Sequence, residues 1–234
     1  MPLTELNEKG FCWIRGALLS SEIDALRAHL GAFEKSRAGV AEGGKAGAGL
    51  RIPVRDFPEA RMLLNHASLA SILPEILCAP PRLVRVIHFD KSESARWWLR
   101  FHRDTMIPVK EHRPSALLTA PSVKAGVPHV RATAKILAGM LVVRIHLDQV
   151  TEKNGPLRVI PCSHLIPSLE DASIPADPDR LAVTCFADPG DILLMRPLLI
   201  HGSPKPTVPG HRRILHLELA GEIPLPDGFE WHVG

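Results

Sequence analysis

The sequence predicts a mainly β protein with a helical N-terminal flank, built as a sandwich, jelly roll or barrel. Three observations carry this. Helical spacing of apolar residues is confined to the first 80 positions, and from residue 82 onward the chain becomes a series of short aliphatic runs. Those runs are separated by turn-forming stretches such as Lys153-Asn154-Gly155-Pro156 and Asp188-Pro189-Gly190-Asp191. Many short strands after a helical start belong to two-layer or closed β architectures. At 234 residues and 45% hydrophobic content the chain is expected to form one domain over 1–234, with 1–80 as flank and 82–220 as core.

In chain order, residues 11–19 read as a short strand and turn. Ser21 then caps a helix, with Asp24 at capping-box spacing and Ile23, Leu26, Leu30 and Phe33 on one face. A Gly- and Ala-rich stretch at 39–49 reads as a loop, and short helices at 59–64 and 69–77 end at Pro80-Pro81. Residues 83–88, 97–105, 140–150, 157–160, 181–186, 191–195 and 213–219 are strand candidates. Residues 113–139, rich in Pro and Gly, read as a long lid loop interrupting them.

Composition excludes several classes. The net charge of +3 is dispersed along the chain, and aromatics are 5% with no Tyr, so neither a basic stripe nor a base-stacking platform is expected, and hence no nucleic acid. No apolar run is long enough to span a bilayer, so no membrane partner is expected. Met1 to Lys9 is polar and acidic, unlike a secretory leader, and Cys12, Cys78, Cys162 and Cys185 are scattered; both fit a reduced, cytoplasmic protein. A small-molecule substrate and a monomer or homodimer are the expected partners.

The chemistry concentrates in Trp97-Trp98-Leu99-Arg100-Phe101-His102-Arg103-Asp104-Thr105. Side chains two apart on a strand share a face, so an imidazole and a carboxylate at 102 and 104 can converge on one point. His201, delivered after the run 191–200 to a Gly-Ser-Pro turn, is the candidate for a third ligand. Two His and one carboxylate form a facial set that leaves positions open on Fe(II). Alone, the pattern is weak: His146-Leu147-Asp148 repeats it, and either pair also fits a hydrogen-bonded strand His beside a surface Asp. Eleven residues after His201 stands Arg212, able to pair bidentately with a carboxylate as Lys cannot, and Ser203 can add a hydrogen bond. Trp97 and Trp98, on opposite faces of the expected strand, should not both line a pocket.

In these segments the chain resembles the phytanoyl-CoA dioxygenase-like branch of the Fe(II)/2-oxoglutarate oxygenases. The resemblance runs from Phe89 to Leu219. It includes Asp90-Lys91, Trp98, His102-Arg103-Asp104, the segment from Lys124 to His129, that from Met140 to Asp148, that from Asn154 to His164, Gly190-Asp191, His201 and Arg212. It implies a double-stranded β-helix (a cupin-like jelly roll) flanked by helices, with the iron at one mouth. It also implies oxidative decarboxylation of 2-oxoglutarate by O2 to succinate and CO2, coupled to oxidation of a substrate.

Carried over, His102, Asp104 and His201 become the metal-binding and catalytic residues. Arg212 becomes the anchor of the far carboxylate of 2-oxoglutarate. Ser203 and Thr105 become cosubstrate contacts, and Arg144 either faces the same pocket or forms a cross-strand ion pair. The second pair, His146 and Asp148, becomes structural. A carboxylate at 104, where related halogenases have a small residue, favours hydroxylation. Cys162 replaces the family's usual Gly in a Pro-Gly-Ser-His turn, which is expected to change the local backbone, since Cys fits only a negative φ. Lys124 and His129, in the expected lid, are candidate contacts to an anionic or polar substrate, with Trp98 beside them. The alternatives are a jelly-roll protein that binds a metal or anion without turnover, and a different cupin-like metalloenzyme, which would not need Arg212. Affinity alone does not select iron over zinc at such a site.

Overall fold

A computed structural model describes residues 2–37, 49–166 and 168–232. The loop expected at 39–49 lies outside the described residues except for Gly49. The chain opens with α1 (Pro2–Lys9), which composition had not suggested, then β1 (Phe11–Ile14) and the long helix α2 (Ser20–Arg37). At its start the Glu22 carboxylate accepts the Leu19 N–H at 2.7 Å, so Glu22 closes the first turn; Asp24 instead pairs with Arg27 at 2.9 Å, and the expected Ser21–Asp24 box is absent. Ile23, Leu26 and Leu30 are buried as the spacing predicts, each contributing about 1.5–3 kcal/mol. Strand β2 (Leu50–Ile52) and helices α3 (Pro58–Leu64) and α4 (Ile72–Leu77) complete the flank, α4 ending on Cys78 in the left-handed conformation just before the two prolines.

The core strands are β3 (Arg82–Lys91), β4 (Leu99–His102), β5 (Met106–Pro108), β6 (Thr119–Lys124), β7 (Val127–Arg131), β8 (Met140–His146), β9 (Leu157–Val159), β10 (Val183–Cys185), β11 (Ile192–Met195), β12 (His201–Ser203) and β13 (Arg212–Ala220). Short helices α5 (Ala134–Ala138) and α6 (Pro178–Leu181) interrupt them. Leu181 therefore closes a helix instead of opening a strand. A six-stranded sheet has the order β1-β11-β8-β13-β3-β2, and a four-stranded sheet the order β10-β9-β12-β4; all pairings are antiparallel. Val142, Leu193 and Met195 of the first pack against Leu157, Val159 and Cys185 of the second. This is the expected jelly roll.

The outer face of the large sheet (Val86, Val143, Leu215, Leu217) packs on the flank helices, in one core with Leu26, Leu30, Leu63 and Leu73. Its other face alternates with this one along β13: Arg212, His216 and Glu218 point inward between Arg213, Leu215, Leu217 and Leu219. Residues 113–139 are not a structureless loop. β6 and β7 form a hairpin that pairs with β5 in a third sheet, and α5 follows, capped by Thr133. Among the described residues no helix is long and apolar enough to cross a membrane.

Candidate metal centre

β12 pairs with β4 so that His201 stands directly across from His102, with ring centroids 4.3 Å apart. β4 ends at His102, so Asp104 lies beyond the strand, where its N–H is held by the Pro197 carbonyl at 3.0 Å. Its convergence with His102 comes from this turn and not from the strand pleat assumed from spacing. One Asp104 oxygen lies 3.5 Å from His102 Nε2 and the other 3.5 Å from His201 Nε2. The three donor atoms fall within 4.8 Å of one another, a grouping that can hold a metal ion.

Both rings are fixed in the orientation a metal requires. His102 Nδ1 donates to the Arg100 carbonyl at 2.8 Å and His201 Nδ1 to that of Leu199 at 2.9 Å, which turns each Nε2 to the common point. Burial pushes His201 down to about 4, with the neighbouring His102 adding to it, so that imidazole is neutral. For Asp104 burial opposes ionisation, but the His201 and His102 rings outweigh it and hold the carboxyl well below its ordinary range. For His102 burial also works against charge, while the Asp104 carboxylate raises the ring's affinity for a proton on balance.

The centre opens into a cavity of about 560 Å³ lined by Trp97, Trp98, Thr105, Arg144, Ser203 and Arg212, among others. Arg212 opens β13 opposite Lys91 and is only 1% exposed. Among the described residues it has no carboxylate partner, and its Nε has no hydrogen bond. Burial, then Arg144, lowers it to about 9. Arg144 is buried as well; its Nη1 donates to His216 Nδ1 at 2.9 Å, so among the described residues its cross-strand partner is a neutral ring, not an anion. Burial, then these two guanidiniums, push the Lys91 ammonium down to about 6. Two enclosed guanidiniums with no acid between them among the described residues, beside an amine that burial has stripped of its proton, are costly in an empty protein and fit an anionic ligand.

Sequence reasoning missed Lys91 as a functional group. It lies behind the cavity and donates to Ser203 Oγ (2.5 Å) and the Pro204 carbonyl. Ser203 in turn donates to the Gly155 carbonyl at 2.8 Å, so its hydroxyl is already committed and serves to position Lys91. Gly155 has φ +73°, and a Cβ there would lie 2.6 Å from the Pro204 carbonyl and 2.8 Å from Lys91 Nζ, which is why the Asn-Gly-Pro turn needs glycine. His216 and Glu218 were also missed. His216 Nε2 donates to Glu218 at 3.3 Å, and Glu218 closes an ion pair with Arg85, so a polar chain runs across three strands from Arg144 to Arg85.

The other expectations divide. Trp97 and Trp98 precede β4 and both line the cavity, contrary to the opposite-face expectation, because neither lies in a strand. Thr105 and Lys124 line it as well. His129 does not: it is buried on strand β7 of the hairpin, lining a neighbouring cavity of about 300 Å³. Cys162 adopts φ +65°, so the left-handed turn persists without glycine, held by its N–H to the Lys9 carbonyl at 2.9 Å.

The second His-x-Asp pair is structural. His146 donates to the Asp191 carbonyl at 3.1 Å and lies against Trp13, while Asp148 leaves in the other direction to bind Arg213 through its backbone N–H, Nε and Nη2, and Arg27 besides. Burial opposes ionisation of Asp148, but Arg213 outweighs it and lowers the carboxyl. The folded carboxyl thus titrates below the unfolded one. The stability it contributes is complete above about pH 4 and is lost as pH falls through the depressed folded value. Asp148→Asn is expected to cost about 2 kcal/mol and lower Tm by about 4–8 °C at pH 7. In melts at pH 3 the gap to wild type should narrow.

A jelly roll carrying two histidines and a carboxylate beside enclosed arginines defines the class of non-haem metal oxygenases. The chain belongs to the phytanoyl-CoA dioxygenase (PhyH) family, whose model matches residues 6–214. That family works with Fe(II), 2-oxoglutarate and O2. Among solved structures, the carbocyclase SnoK from nogalamycin biosynthesis is 17% identical, with TM-score 0.67 over all of this chain and 86% of its own. The epimerase SnoN from the same biosynthesis, solved with Fe3+, alpha ketoglutarate and nogalamycin RO, is 16% identical at TM-score 0.66 over 97% of this chain and 90% of its own. HygX from Streptomyces hygroscopicus, solved with iron, is 15% identical at TM-score 0.64 over 95% and 86%. A search of curated proteins returned no match.

Proposed function

We infer that the protein is an Fe(II)- and 2-oxoglutarate-dependent dioxygenase that hydroxylates a small organic or acyl substrate. The observation that carries this is a His102–Asp104–His201 grouping within 4.8 Å, opening on the same cavity as a fully enclosed guanidinium that has no anion among the described residues. The donor set suits Fe(II): two imidazoles oriented by backbone carbonyls and one ionised carboxylate. Bound there with 2-oxoglutarate, the iron would supply O2 activation coupled to decarboxylation of the cosubstrate.

The chain's own residues supply orientation and enclosure. Arg212 would pair with the far carboxylate of 2-oxoglutarate, with Arg144 adding positive potential and Lys91 regaining its proton as the anion arrives. Thr105 and Trp97 would border the cosubstrate, and Trp98 the substrate. A carboxylate at 104 favours hydroxylation over halogenation, since it occupies a coordination position a halide would need. The structural relatives include an epimerase and a carbocyclase, so this fold also carries outcomes other than hydroxylation.

The test is an anaerobic titration of metal-free protein with Fe(II) and then 2-oxoglutarate. A weak visible charge-transfer band is expected on the second addition, followed by succinate when air is admitted with a substrate. Bound iron without a band would mean that the site does not chelate 2-oxoglutarate, and would leave a metal- or anion-binding protein.

A further inference from the structure

The cavity holds a second cationic cluster that the cosubstrate does not use. Arg212 and Glu218 are six residues apart on β13, hence about 20 Å along the strand, further than 2-oxoglutarate anchored at Arg212 can extend. At the Glu218 end the lining includes Arg85, Arg51 and Lys124, contributed by β3, β2 and the β6–β7 hairpin. Among the described residues Glu218 is the acid lining this end, and it is committed to Arg85 and His216. The half-buried Lys124 ammonium has no hydrogen-bond or ion-pair partner among the described residues. Burial, then Arg85 and Arg51, lower its affinity for a proton. Arg51 and Arg85 also form the wall shared with the 300 Å³ cavity beneath the hairpin, whose lining among the described residues adds Arg55, His129 and His232 and no acidic residue. Inside it His129, donating through Nδ1 to the Val127 carbonyl, has a buried Nε2 with no partner.

We propose that the substrate is a small organic acid whose anionic group, carboxylate or phosphate, is bound by Lys124 together with Arg85 and Arg51, holding the rest of the molecule toward the metal centre. This rests on the oxygenase reading and adds the substrate class. Two unlike anions then occupy one cavity, the cosubstrate at the Arg212 end of β13 and the substrate at the Glu218 end. The hairpin, joined to the body of the fold through β5, carries the discriminating lysine. The committed Glu218 fixes Arg85 in place.

The experiment is calorimetry on protein loaded with Ni(II) and saturated with 2-oxoglutarate, which blocks Arg212 and prevents turnover. Hexanoate is compared with hexanamide, and hexyl phosphate with hexanol. At least one anionic probe is expected to bind about 10-fold tighter than its neutral isostere, and the pair with the larger ratio identifies the anion. Lys124→Gln should bring that ratio to within about 3-fold, while Lys124→Arg preserves it; melts of both variants check folding. Equal binding of charged and neutral probes, binding of neither, or a preference unchanged in Lys124→Gln overturns the proposal. Failure of 2-oxoglutarate itself to bind in the loading step would instead defeat the oxygenase reading.

Discussion

Replacing Arg212 with Met is expected to weaken 2-oxoglutarate binding by about 100-fold, while making the ligand-free protein more stable. Both effects follow from one fact. The guanidinium is 1% exposed, has no anion beside it among the described residues, and is pressed by Arg144. In the free protein it is a desolvated charge without compensation, and Met keeps most of the stem volume while removing that charge. In the complex the guanidinium can make two charge-assisted bonds to a carboxylate, and loss of one partner of such a buried pair typically costs 2–5 kcal/mol, of which about 2.7 kcal/mol corresponds to 100-fold.

A thermal-shift experiment with Ni(II) separates the two effects. Wild-type Tm should rise with 2-oxoglutarate by mass action. The variant should start higher and respond little. Arg212→Lys should not restore the response, because an ammonium cannot present the paired donors. A variant whose 2-oxoglutarate shift matches wild type would remove Arg212 from the site.

The enclosed charge at 212 was legible in the sequence, but the company it keeps was not. Its spacing from His201 suggested a role, and the alternation of Leu215, Leu217 and Leu219 with His216 and Glu218 was on the page as well. From the sequence, 213–219 reads only as a strand candidate. With both faces of the sheet covered, polar residues at every second position mean a polar cavity, and this would have found His216 and Glu218. Lys91 escaped because its partners, Ser203 and Pro204, are 112 and 113 positions away, and Ser203 belongs to the other sheet, so they meet only when the two sheets pack face to face. The hairpin at 119–131 was hidden by Pro121, Gly126 and Pro128, read as loop formers; Gly126 makes the turn, and β6 is an edge strand where a proline is tolerated. Conversely, the periodicity of α2 and the short strands after residue 82 came through, because those segments bury the side chains their spacing promised. Cys162 shows the limit of reading a backbone from a residue type: its φ is set by hydrogen bonds to Lys9 and Leu165, and the side chain follows.

The two His-x-Asp pairs are indistinguishable as local sequence, and mutation should separate them sharply. His201→Ala is expected to weaken Fe(II) binding by well over 100-fold, since even outer partners of metal ligands are typically worth 10–100-fold, and to abolish 2-oxoglutarate-dependent succinate formation. His201 is buried, faces His102 across the β4–β12 pair and offers its Nε2 to the point shared with Asp104, so no neighbouring group can take its place. His102→Ala should behave alike. Asp148→Asn, by contrast, should retain full metal binding while losing the Arg213 and Arg27 contacts and the stability they provide. Metal content after dialysis against Fe(II) under anaerobic conditions, read beside Tm, gives the two signatures: iron lost with the fold intact, or iron kept with the fold weakened. Retention of iron in His201→Ala, or its loss in a folded Asp148→Asn protein, would reverse the assignment. The distinction rests on geometry that begins one residue past β4: the chain turns after His102 and carries Asp104 back beneath the two rings, whereas after His146 it hands Asp148 to an arginine on the far side of the sheet.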